Sequence, residues 1–147
     1  MLRALFQQCF IEILRIHYSG GKSDFPWLAA LQDPRLGRAV EEILDHPERP
    51  YTLDSLAGIC NMSRTTFAKR FSAAFDRSPM NFVSEIRLRS SAKMLSQSDH
   101  PIKTVAAKVG YDSRSHFSRS FKEFFGISPA DYRGKFQSRD ALESPEA

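Results

Sequence analysis

A chain of 147 residues has room for one typical domain or two small ones. Its net charge of +4 is unevenly spread: residues 63–139 hold 15 Lys and Arg against 6 Asp and Glu, while residues 1–62 hold 6 against 8. No apolar run reaches the roughly 20 residues of a membrane span, and Cys9 and Cys60 lie far apart with no CxxC or Cys/His cluster, which speaks against a structural zinc site.

Two readings fit the basic stretch, a polyanion partner or a plain solvated surface. Free thiols and the lack of a signal-peptide cleavage site point to a cytoplasmic protein.

In chain order, Leu2, Leu5, Phe6, Cys9, Phe10, Ile13 and Leu14 recur at helical spacing, which predicts an amphipathic helix over residues 2–18. Ser19-Gly20-Gly21 ends it, and a loop with Pro26 follows. A second helix is predicted over Pro34 to Asp45, with Asp33 as N-cap and Pro34 at the first helical position. From there to Phe136 the pattern is helical throughout, with no strict alternation to suggest a sheet. Residues 137–147 read as a polar, acidic, disordered tail.

An internal repeat organises residues 51–136. Phe67-x3-Phe71-x3-Phe75-x2-Ser78-Pro79-x2-Phe82 matches Phe117-x3-Phe121-x3-Phe125-x2-Ser128-Pro129-x2-Tyr132 at an offset of 50 residues. Leu56-Ala57 matches Val105-Ala106 at an offset of 49, so one extra residue falls between the two helices of the second unit. Spacing of four and eight puts the aromatics on one helix face, where they form core.

Each unit (about 51–78 and 101–128) reads as a short helix, a tight turn and a longer helix, the helix-turn-helix plan. In the first, Thr52 or Asp54 caps the short helix, Asn61-Met62 turns, and Ser63 caps a helix to about Phe75. In the second, the short helix runs from Thr104 to Val109 and stops at Gly110; Asp112 or Ser113 caps a helix that ends at Phe125-Gly126. A long helix from Pro79 to about Ser96 joins the units.

With the aromatics inward, the first long helix exposes Arg64, Thr65, Ala68, Lys69 and Ser72. The second exposes Arg114, Ser115, Ser118, Arg119 and Lys122. Neither set contains an acid. Arg and Lys can bridge guanine O6 and N7, and Ser and Thr serve either base. Ser63 and Ser113 stand at the helix N-termini, where hydroxyls and amides hold phosphates. Arg87 and Arg89 on the joining helix are either backbone contacts or plain surface charge.

These residues resemble the DNA-binding domain of the AraC/XylS family of bacterial transcription regulators. The first unit carries Leu56-Ala57, Met62-Ser63, Phe67, Arg70-Phe71 and Ser78-Pro79. The second carries Ile102, Val105-Ala106, Val109-Gly110-Tyr111, His116-Phe117, Arg119, Phe121-Lys122, Phe125-Gly126 and Ser128-Pro129-Ala130-x-Tyr132-Arg133. The resemblance implies an all-α fold of two helix-turn-helix subdomains joined by a long helix, both recognition helices entering the major groove on one DNA face. By position it implies base contacts from Thr65, Ala68 and Lys69, then Arg114, Ser115, Ser118 and Arg119. Ala68 departs from the longer polar residues often found there in the family but can still meet a thymine methyl.

Residues 1–32 resemble the last helix and linker of a cupin-type sensor domain whose barrel is missing. This implies a regulator's C-terminal fragment or a short open reading frame, a homodimer contact through residues 2–18, and no small-molecule ligand, cofactor or metal on this chain. An activator that touches RNA polymerase or a sigma factor is the implied role. An enzyme is the rival, but no nucleophile elbow, metal-ligand spacing or Gly-rich phosphate loop occurs. A polymerase-binding module that reads no sequence is a second rival, separable by site selectivity.

Overall fold

A computed structural model describes residues 33–143, with side chains to Phe136. The predicted helix over residues 2–18 and its linker lie outside the described residues. Within them every regular element is a helix.

Helix α1 (Pro34–Asp45) begins at Asp33, whose carboxylate accepts from the Arg35 amide at 3.0 Å. Pro34 supplies a preset φ at the first helical position. Leu36, Ala39, Val40 and Ile43 are the buried stripe that the spacing predicts. Tyr51 closes the loop that follows. Its hydroxyl lies 2.9 Å from the carbonyls of both Glu42 and His46, at the C-terminal end of α1. Burial, and then the Glu42 carboxylate, push the phenol up to about 12.

The first unit follows. Helix α2 (Leu53–Ile59) is capped by Thr52, which exchanges side-chain to amide bonds with Ser55 at 3.1 and 2.9 Å. Asn61 turns the chain with φ 50°, and the Met62 amide reaches back to Ala57 O at 3.0 Å. Helix α3 (Arg64–Phe75) then starts at Ser63, whose Oγ accepts from the Thr66 amide. Asp76 ends it in the left-handed region.

Helix α4 (Pro79–Gln97) is a continuous rod of 19 residues, about 28 Å long at 1.5 Å per residue. Val83 near its start belongs to one core, with Leu36, Ile43, Leu56, Phe67 and Phe71. Leu88, Ala92 and Leu95 further along belong to a second, with Val105, Val109, Phe117 and Phe121. The two units thus have separate cores threaded on one helix. Ser91 is buried in the second half, and its hydroxyl donates to Leu88 O at 2.7 Å.

The second unit repeats the first. Helix α5 (Ile102–Lys108) starts two residues before the predicted Thr104. Pro101 at its N-cap makes no side-chain bond, and Ile102 packs on the second core, so packing rather than a polar cap sets this start. Gly110 turns with φ 86°, and the Tyr111 amide reaches back to Ala106 O at 2.9 Å. Ser113, not Asp112, caps helix α6 (Arg114–Phe125), and Gly126 ends it in the left-handed region. Asn61 corresponds to Gly110, Met62 to Tyr111 and Ser63 to Ser113, so Asp112 is the extra residue.

Helix α7 (Pro129–Glu143) packs back against α4. Ser128 opens it, accepting from the Asp131 amide at 3.2 Å. It runs as far as Glu143, into the stretch from residue 137 that the sequence reads as a polar tail.

The aromatic repeat is reproduced in geometry. Ring centroids of Phe67 and Phe71 are 5.5 Å apart, and those of Phe117 and Phe121 are 5.6 Å apart. Phe71–Phe75 and Phe121–Phe125 are both 4.5 Å. Phe82 and Tyr132 close the two clusters edge-on at 5.5 and 5.4 Å.

Candidate nucleic-acid interface

The spine that buries one face of α3 and α6 determines what the opposite face presents. Phe67, Phe71, Phe117 and Phe121 are fully buried. Arg64, Thr65, Lys69 and Ser72 on α3 are exposed, and Ala68 is half-buried beside them. Arg114, Ser115, Arg119 and Lys122 on α6 are exposed, and Ser118 is half-buried. Each long helix follows a tight turn and projects its first turn outward.

Ser63 and Ser113 have structural work as caps. The Ser63 hydroxyl also bonds Thr66 Oγ1 at 2.8 Å, and Ser113 Oγ accepts from the His116 amide at 3.1 Å. Those caps satisfy the third amide of each helix and leave the amides of residues 64 and 65, and 114 and 115, at the open N-terminal end. Such an end attracts an anion.

The electrostatics of the two heads differ. Arg64 lies 3.6 Å from Asp54 on α2, and Arg70 lies 3.4 Å from Asp33. Among the described residues, no carboxylate comes within 4 Å of Arg114, Arg119 or Lys122. The second unit carries Lys103 where the first carries Asp54. The sequence offers Asp54 only as a cap candidate and misses its pairing with Arg64. Ten residues separate it from Arg64, and only the fold of the turn brings them together.

Both candidates on the joining helix have partners within the chain. The Arg87 guanidinium donates to Pro47 O at 2.8 Å and to Arg49 O at 2.7 Å. Arg89 donates to Glu85 at 2.9 Å and lies over the Phe124 ring. Glu85 also pairs with Arg77. Cys60 is buried, its thiol donates to Arg35 O at 3.1 Å, and burial pushes its pKa up, which makes it a poor nucleophile. No cluster of three or more metal-ligating side chains occurs among the described residues. None of their helices is long and apolar enough to cross a membrane.

Residues 56–135 match a family model described as a helix-turn-helix domain. The chain is 40% identical to the HTH-type transcriptional regulator AlkR of Acinetobacter baylyi, over 84% of this chain and 40% of that protein. It is 37% identical to the RCS-specific HTH-type transcriptional activator RclR of Escherichia coli, over 72% of this chain and 37% of that protein. The chain therefore spans less than half the length of these regulators. Among solved structures, it resembles the DNA-binding domain of the global transcriptional factor AdpA in complex with a target DNA. That match has a TM-score of 0.68 at 28% identity, over 70% of this chain and 93% of that one. Two capped helix-turn-helix units on one connecting helix, with these relatives, place the chain in the AraC-type family of helix-turn-helix transcription regulators.

Proposed function

We propose that this chain binds duplex DNA sequence-specifically and regulates transcription, with α3 and α6 in adjacent major-groove segments. The observation that carries the reading is the pair of exposed faces rich in basic and hydroxyl side chains on α3 and α6, at matched positions of one repeat and each backed by a buried aromatic spine. Thr65, Ala68 and Lys69 on α3, and Arg114, Ser115, Ser118 and Arg119 on α6, are the side chains we assign to base edges. Arg64 and the capped helix ends at Ser63 and Ser113 are assigned to phosphate. Activation through RNA polymerase is the sign we assign, because the Escherichia coli relative is named an activator.

Selection of bound sequences from a randomised duplex pool, at roughly physiological salt, tests this. A bipartite motif with halves about 10 bp apart is the expected outcome, since heads one DNA turn apart face one side of the duplex. Salt-sensitive binding with no enriched sequence would overturn it, because phosphate contacts alone carry no sequence information.

A further inference from the structure

Two bodies threaded on one helix can rock about it unless something else holds them. Here a second connection runs beside α4. The loop of residues 46–52 belongs to the first unit, and the turn at Gly110-Tyr111 belongs to the second. Arg87, half-buried on α4 between the two cores, donates to the Pro47 and Arg49 carbonyls of the loop. Its guanidinium carbon stands 6.0 Å from the centre of the Tyr111 ring. The Tyr111 hydroxyl lies 3.1 Å from Ser84 Oγ, also on α4. Gly110 completes the contact: a Cβ there would lie 2.6 Å from the Glu48 carbonyl oxygen, so loop and turn meet backbone to backbone.

We propose that this joint of Arg87, Ser84, Gly110 and Tyr111 against residues 47–49 fixes the offset between α3 and α6, and so sets the half-site spacing that the chain accepts. The inference rests on the two-head reading above. Arg87 is a positioning residue in it, since its guanidinium bonds to loop carbonyls. Planar and carrying five donors, it holds two carbonyls in one fixed geometry, whereas a lysine's three rotating donors impose none. One added base pair moves a half-site by about 3.4 Å and a tenth of a turn. A rigid joint resists that displacement, and a loose one follows it.

The test uses the full chain and duplex probes carrying both selected half-sites at the native spacing, one base pair shorter and one longer. Each half-site alone serves as a control. Wild-type protein is expected to lose about tenfold or more on mis-spaced probes, the order of one mismatched base pair. Arg87→Ala and Arg87→Lys are expected to flatten that dependence while binding each single half-site as wild type does. Ser84→Ala removes one bond of the joint and tests the idea should both Arg87 variants prove unfolded by circular dichroism; it too should broaden the accepted spacing. Variants as spacing-sensitive as wild type would overturn the joint alone. Equal loss on single half-sites would also overturn it, by making Arg87 a DNA contact. A wild-type protein indifferent to spacing would overturn the joint together with the two-head reading.

Discussion

Asp54 and Arg64 face each other at 3.6 Å across the turn of the first unit, with both side chains well exposed. The second unit puts Lys103 and Arg114 at the matching places. An otherwise symmetric repeat is therefore electrostatically unequal: a carboxylate offsets the charge of the leading arginine of α3, and none lies within 4 Å of the leading arginine of α6.

Replacing Asp54 by Asn should strengthen DNA binding and steepen its salt dependence. Freeing one cation for one phosphate steepens the slope of log K against log salt by about 0.9. Fold stability should move by less than about 1 kcal/mol, because exposed ion pairs contribute little. Anisotropy titrations at several salt concentrations read the effect. An unchanged slope would mean that Arg64 stays off the backbone.

The asymmetry also marks what was legible in the sequence. Caps and aromatic spacing are local signals, so Ser63, Ser113, Gly126 and the Phe67/Phe117 repeat announce α3 and α6 with their buried faces. The offset change from 49 to 50 confines the insertion to the connection, where hydrogen bonding identifies Asp112. Pairings such as Asp54 with Arg64, or Arg87 with the Pro47 carbonyl, join residues on different elements and leave no periodic trace. Pro101 hid the start of α5, because it caps without a polar side chain.

The spine should behave as core. Phe121 is fully buried against Phe117, Phe125 and Tyr132. Phe121→Ala should cost about 3–5 kcal/mol through transfer and cavity terms. Phe124, next along α6 but 42% exposed, should cost about 1 kcal/mol or less on the same change. Urea unfolding of the two variants compares them. Equal losses would remove the distinction between spine and surface.

Two glycines share a left-handed backbone but not their surroundings. Gly126 has φ 78° with open space where a Cβ would go, whereas Gly110 at φ 86° abuts the Glu48 carbonyl. Gly126→Ala should cost about 1–2 kcal/mol from backbone strain alone. Gly110→Ala should cost more, because a backbone must also shift. Thermal melts of both variants check the order, and the reverse order would contradict the Gly110–Glu48 contact.

Tyr51 should make the fold alkali-sensitive. Its pKa rises from the ordinary 10.0 to about 12 in the folded chain, first through burial and then through the Glu42 carboxylate. A raised pKa means that the folded state keeps the proton longer than the unfolded one. The stabilisation is whole below about pH 10 and falls away as pH climbs from there toward about 12. Stability of wild type relative to Tyr51→Phe should therefore decline across that window and stay flat below it. A difference independent of pH would show that the phenol titrates alike in both states.

Arg114 gives the sharpest test of a reading residue. It is exposed in the first turn of α6 and, among the described residues, has no acidic partner within 4 Å. Arg114→Ala should leave stability within about 0.5 kcal/mol. If its guanidinium bridges a guanine, the variant should lose about 1–3 kcal/mol on the selected site and become indifferent to one base pair. Loss shared equally by all sequences would reassign it to phosphate. Arg64→Ala supplies the internal comparison. Asp54 already competes for that side chain, so its removal should weaken binding less than removal of Arg114. A larger effect at Arg64 would mean that DNA displaces Asp54 completely and that the first head grips as firmly as the second.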